Sequence, residues 1–106
     1  MSQKITINPS IATILNINWI SVHEVVPIYF TASTNWNNNH IFSIWSSDEK
    51  INKIEIQNSP ISIFENVMTL TINPIEQKIP AGKFYYEIID NTSHRIIFKG
   101  EINILK

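Results

Sequence analysis

Three histidines, His23, His40 and His94, are the only side chains here suited to metal ligation or acid–base work near neutral pH. Their spacing is not that of a zinc site, and His23 and Glu24, as neighbours on an extended strand, would point to opposite faces. Each reads better as an exposed loop or strand-end residue. There is no cysteine, which removes disulfides, thiolate ligands and thiol nucleophiles. No Gly-x-Ser-x-Gly elbow is present, and two glycines leave no loop that could cradle a phosphate. The expectation is a protein without catalytic residues, metal or cofactor.

Trp19, Trp36 and Trp45 offer a second kind of chemistry, the stacking of sugars or bases. Trp19 and Trp45 lie in apolar strand-like runs, so core packing is expected of them. Trp36 stands alone in Thr34-Asn35-Trp36-Asn37-Asn38-Asn39-His40, with no apolar neighbour. An exposed indole there would contact another subunit; packing on its own core and sugar binding are the other readings. Nucleic-acid stacking would need Lys and Arg interleaved with the aromatics, and Arg95 is the sole arginine.

The elements that must position these residues are strands. In 106 residues with 43% hydrophobic content and a net charge of -1, one folded domain spanning 1–106 is expected, with no pull toward nucleic acid. No apolar run reaches the ~18 residues that suggest a membrane span, and the start Met1-Ser2-Gln3-Lys4 does not read as a secretion signal. Synthesis in a cytoplasm is the expectation. Ile dominates the apolar positions and Asn the polar ones, a bias that an A/T-rich genome explains. β-Branched Ile favours pleated, half-buried surfaces, and scarce Ala removes the best helix former.

Period-two alternation runs from end to end. Leu15, Ile17 and Trp19 share one phase, and Ile20 and Val22 carry the apolar set on in the other, the signature of a bulge or bend. Val25 to Ala32 contains Pro27, which predicts an edge strand or one that begins after the proline. Ile41 to Trp45, Lys53 to Gln57, Ile61 to Phe64 and Val67 to Ile72 follow, with Glu65-Asn66 as a tight turn. Asn73 and Pro74 are suited to cap and open one helical turn near 74–78, held by packing of Ile75 and Ile79. Pro80-Ala81-Gly82 is a turn requiring positive φ at glycine. Phe84, Tyr86 and Ile88 then face inward, Asp90 to His94 forms a hairpin loop, and Arg95 to Leu105 is the last strand. About eight short strands and little helix predict an all-β, single-domain antiparallel sandwich or small barrel.

If Tyr86 faces the core, Tyr85 and Ile89 face out, and Ile97 and Leu105 are expected to join them. Apolar residues on an outer sheet face suggest a covered surface, either an interface or a second layer formed by the N-terminal segment.

From Ile41 to Ile104 the chain resembles small β-domains of tailed-bacteriophage structural proteins. The resemblance is carried by the strand ending at Asn73-Pro74, by Ile79-Pro80-Ala81-Gly82, by Phe84-Tyr85-Tyr86-Glu87-Ile88 and by Phe98-Lys99-Gly100-Glu101. It implies an immunoglobulin-like sandwich used as a virion building block in tail, neck, baseplate or head-associated positions. Pro80 and Gly82 would shape a turn, Tyr86 would be a core or corner aromatic, and Gly100 would permit a bend or close approach. The chain departs from the pattern at Asn91-Thr92-Ser93-His94, where a glycine-bearing turn is usual. The expected partners are other virion proteins and copies of itself, through Trp36, Tyr85, Ile89 and Ile97, with residues 1–10 as a candidate arm. Capsid decoration, fibre anchoring, or host-surface glycan binding through Trp36 are the alternatives.

Overall fold

The computed structural model describes residues 3–7, 13–47 and 49–106, with backbone alone for 3–7 and Trp19. Nine strands and one helical turn are present among them: β1 (Gln3–Ile7), β2 (Thr13–Ile14), β3 (Ile17–Ser21), β4 (Val26–Ala32), β5 (His40–Trp45), β6 (Ile61–Phe64), β7 (Val67–Ile72), α1 (Pro74–Gln77), β8 (Gly82–Asp90) and β9 (Arg95–Leu105). They form two packed sheets, ordered β1-β4-β7-β6 and β2-β9-β8-β5, with β3 continuing beside β9. The N-terminal strands are divided between the two sheets, β1 beside β4 and the β2–β3 segment beside β9. The chain is an all-β sandwich.

Alternation dictates the inner faces. Met68, Leu70 and Ile72 of β7 are fully buried, while Thr69 and Thr71 between them are half-buried on the other side. Opposite them, Phe84, Tyr86 and Ile88 bury the inner face of β8. Each such side chain contributes about 1.5–3 kcal/mol by leaving water. Phe30 of β4 and Phe98 of β9 meet across the sheets with ring centroids 4.3 Å apart, tying the layers at the centre.

The phase change at Trp19–Ile20 is a bulge. Ile17 pairs with Ile102 and Ile20 with Ile104, so three steps on β3 answer two on β9. Pro27 neither makes β4 an edge strand nor precedes it: β4 lies between β1 and β7 and starts at Val26. Its pairing with β1 begins at Ile28, one residue after the proline, so the missing N–H is not called for there. Three pairings, β1–β4, β2–β9 and β3–β9, are parallel, a departure from a wholly antiparallel sandwich.

Lys53 to Gln57 is not a strand. Only a bridge from Lys53 to Trp45 forms, although Ile54 and Ile56 still pack their side chains against the core as the alternation requires. The helical turn forms as read: the Asn73 side chain accepts from the Glu76 N–H at 3.3 Å, and Pro74 opens the turn. Ile79 anchors it, fully buried, but Ile75 is 63% exposed and does not. Gln3–Ile7 of the candidate arm forms an edge strand of this molecule's own sheet, and residues 1, 2 and 8–12 lie outside the described residues.

Candidate functional site

Trp36 is not an exposed anchor. It sits where the chain crosses from β4 to β5, passing from one sheet to the other, and its ring packs against Phe98 at 6.2 Å between centroids. Its backbone N–H donates to Glu65 O at 3.0 Å, and its indole Nε1 donates to Phe30 O at 3.1 Å. The ring is 7% exposed and meets His40 edge-on at 5.5 Å between centroids. The Asn-rich sequence around it satisfies backbone groups rather than advertising a surface. Asn37 accepts from the Asn39 N–H, and its amide donates to both Asp90 oxygens at 3.2 Å.

His40 is a strand-end residue as expected, but buried. Its Nδ1 lies 3.0 Å from Asn37 O, and since a carbonyl can only accept, Nδ1 carries the hydrogen. Burial lowers its pKa below 6.5, against the opposing pull of the Asp90 charge and the Asn37 carbonyl. For Asp90, burial pushes upward and is outweighed by the Asn37 amide, the Thr92 and Ser93 N–H groups and the charge of His40, so its carboxyl is held below its ordinary value. His94 is exposed in the β8–β9 turn with φ of 57°, and His23 is exposed after β3. Among the described residues no three of His, Asp and Glu converge as metal ligands would.

Ile97 also lies in the core, 3% exposed, instead of facing outward. Ile88 pairs with Phe98 and Ile89 with Ile96, so Ile97 is an extra residue on β9 and turns inward beside Phe98. Tyr85 and Ile89 do face outward, half-buried. The Thr13–Ser21 segment joins the edge of this sheet at β9 and does not form a second layer over it.

The outer face of β5-β8-β9 therefore carries three rows in register. Ile41, Ile89 and Ile96 make an apolar row, followed by Ser43, Glu87 and Lys99, then by Trp45, Tyr85 and Glu101. Trp45 is half-buried on this outer face, not in the core. Gly82 opens β8 with φ of +144°, which supports the turn reading of Pro80-Ala81-Gly82. Tyr86 is a core aromatic whose hydroxyl donates to Leu15 O at 2.7 Å, and burial pushes its pKa well up. Gly100 permits a close approach: a Cβ there would stand 2.1 Å from that same Leu15 oxygen.

Sequence reasoning placed Tyr85 on this face but missed the other members of the second and third rows. After β5, residues 46–47 and 49–53 fold back, with Ser46 N–H donating to Ile51 O at 3.1 Å and Ile54 N–H to Ile44 O at 3.0 Å. This return carries Lys50 over the Trp45 ring, 5.4 Å from its centroid, and onto Glu87 at 3.0 Å. Beside them Lys83 pairs with Glu101 at 3.1 Å and lies over Tyr85. A cleft of about 400 Å³ opens between this cluster and the β2 edge at Ile14 and Asn16. The sequence signal was the alternation itself, which puts Trp45, Tyr85 and Glu87 on the face opposite Ile44, Tyr86 and Ile88. No protein-family model matches the chain, and no curated protein matches it.

Proposed function

We propose that this protein is a non-catalytic structural subunit of a bacteriophage virion, working through protein–protein assembly in a tail, neck or head-associated position. The observation that supports it is the apolar row Ile41–Ile89–Ile96 on the outer face of β5-β8-β9. Ile41 is 43% exposed at its end. Apolar residues aligned on an open sheet face suit burial against another protein, and a rigid sandwich behind them presents that face without an ordering cost. The partners are other virion proteins and copies of this chain, and repetition in a symmetric particle would strengthen weak single contacts. Capsid decoration and fibre anchoring are variants of the same role. Glycan binding through Trp36 is not carried forward, because that indole is closed within the core.

The test has two parts. Purified phage particles from a lysate expressing the chain are probed for it by mass spectrometry, and Ile89→Lys is carried through the same purification. The wild-type chain should be found in particles at stoichiometric level and the variant, folded by circular dichroism, should be lost from them. A wild-type chain confined to the soluble fraction removes the proposal.

A further inference from the structure

The cleft beside Trp45 is a built site. From the geometry we infer that it binds a neutral polyhydroxylated ring, a pyranose unit of a saccharide. Trp45 and Tyr85 stand directly opposite each other in the β5–β8 ladder and both line the cleft. Lys50 and Lys83 lie over their rings but are more than half exposed, and with those two side chains swung aside the rings suit the C–H face of a sugar. The volume, about 400 Å³, lies in the small-ligand range.

The polar groups supply the other half of recognition. Glu87 is 8% exposed, and its Oε1 is buried without any hydrogen-bond partner while Oε2 holds Lys50. Buried acceptors almost always have a donor, and a ring hydroxyl is such a donor. Lys50, which covers the carboxylate, is more than half exposed, so a small displacement of its side chain admits the hydroxyl. Asn16 offers its amide N–H groups, because its Oδ1 is already engaged by the Glu101 N–H at 3.0 Å.

Charge selects among ligands. The lining holds two lysines, Lys50 and Lys99, and two glutamates, Glu87 and Glu101. These cancel, so neither a cation nor an anion is drawn in. The site is independent of the Ile41–Ile89–Ile96 row and does not rest on the virion reading.

The experiment is an NMR titration of the labelled protein with methyl β-glucoside, methyl β-galactoside and N-acetylglucosamine, with choline as the cationic control. At least one pyranose should give saturable shifts at the Trp45 indole and at the Tyr85 and Glu87 amides. Trp45→Ala and Glu87→Gln should each weaken it about tenfold, the equivalent of ~1.4 kcal/mol, with resonances of the opposite sheet unmoved. Glu87→Gln is nearly isosteric and keeps the test open if Trp45→Ala unfolds. Absence of shifts with all three sugars, equal shifts in both variants, or saturation by choline instead would overturn the inference.

Discussion

Tyr86 and Gly100 stand opposite each other in the β8–β9 ladder, and both close on one atom, the carbonyl oxygen of Leu15. The bare glycine lets the β2–β3 segment descend onto β9, and the phenol, reaching from the neighbouring strand, donates to the oxygen that arrives there. Asn16 adds a clamp by accepting the Glu101 N–H. Between them they fix the β2–β3 segment to the sheet edge.

That arrangement makes Gly100→Ala severe. A Cβ placed 2.1 Å from a backbone oxygen must displace the segment, not a flexible side-chain tip. A loss of about 3 kcal/mol or more is expected, at the top of the range for single substitutions. Tyr86→Phe keeps the core volume and removes only the hydroxyl, so it should cost about 1–2 kcal/mol by leaving the Leu15 oxygen without its donor. Urea melts measure both. Hydrogen exchange should accelerate in 15–21 for each variant before it does in β7.

Trp36 predicts stability effects and no direct effect on assembly. Trp36→Ala empties a buried site beside Phe98 and His40 and should cost about 3–5 kcal/mol. Trp36→Phe retains much of the ring volume but abolishes the donor to Phe30 O. It should cost clearly less than the alanine variant, with a near-native tryptophan-depleted spectrum. A Trp36→Ala protein as stable as wild type, yet unable to assemble, would restore the indole to the surface.

Strands β3 to β9, most of their inner faces and the β3 bulge were legible because each rests on local alternation of apolar against polar residues, but the same alternation also predicted a strand over Lys53 to Gln57 that does not form. What escaped was set at long range. Ile97 alternates as an outward residue, and only the pairing of Ile88 with Phe98 and Ile89 with Ile96 reveals it as an extra residue turned inward. Trp36 has polar neighbours in sequence, but the crossover from one sheet to the other decides where it goes. The cleft depends on Lys50 returning over Trp45, which positive φ at Lys50 and Asn52 allows and no periodicity announces. Alternation gives the face a residue occupies, not what folds over that face.

Lys50 should matter more than an ordinary surface lysine. Its own side chain is more than half exposed, so solvent screens the pair and its direct worth is small. Glu87, however, is buried, and removing Lys50 leaves a carboxylate with neither oxygen partnered. Lys50→Ala should destabilise the protein by about 1–2 kcal/mol, between the surface and fully buried cases. Adding Glu87→Gln should recover part of that loss, because the charge is then gone. A double-mutant cycle reads the coupling, and a value near zero would show that the loop holds without the pair.

Acid should weaken the fold in two stages. His40 has a folded pKa below its ordinary 6.5, so as pH falls through that value the unfolded chain takes up a proton that the buried imidazole resists. Stability is therefore full above this window and declines as pH drops from 6.5 toward the lowered folded value. Asp90 acts in the same direction lower down: its carboxyl is held below 3.8 in the fold, so its contribution is present above that value and is lost as pH falls through the depressed one. Protonated His40 retains Nδ1–H on Asn37 O, so the loss comes from burying charge and not from breaking that bond. His40→Gln should flatten the upper stage while leaving the lower one, and Asp90→Asn should do the reverse. Urea midpoints taken from neutral pH down to pH 3 separate the two, and an unchanged upper slope in His40→Gln would assign it to another group.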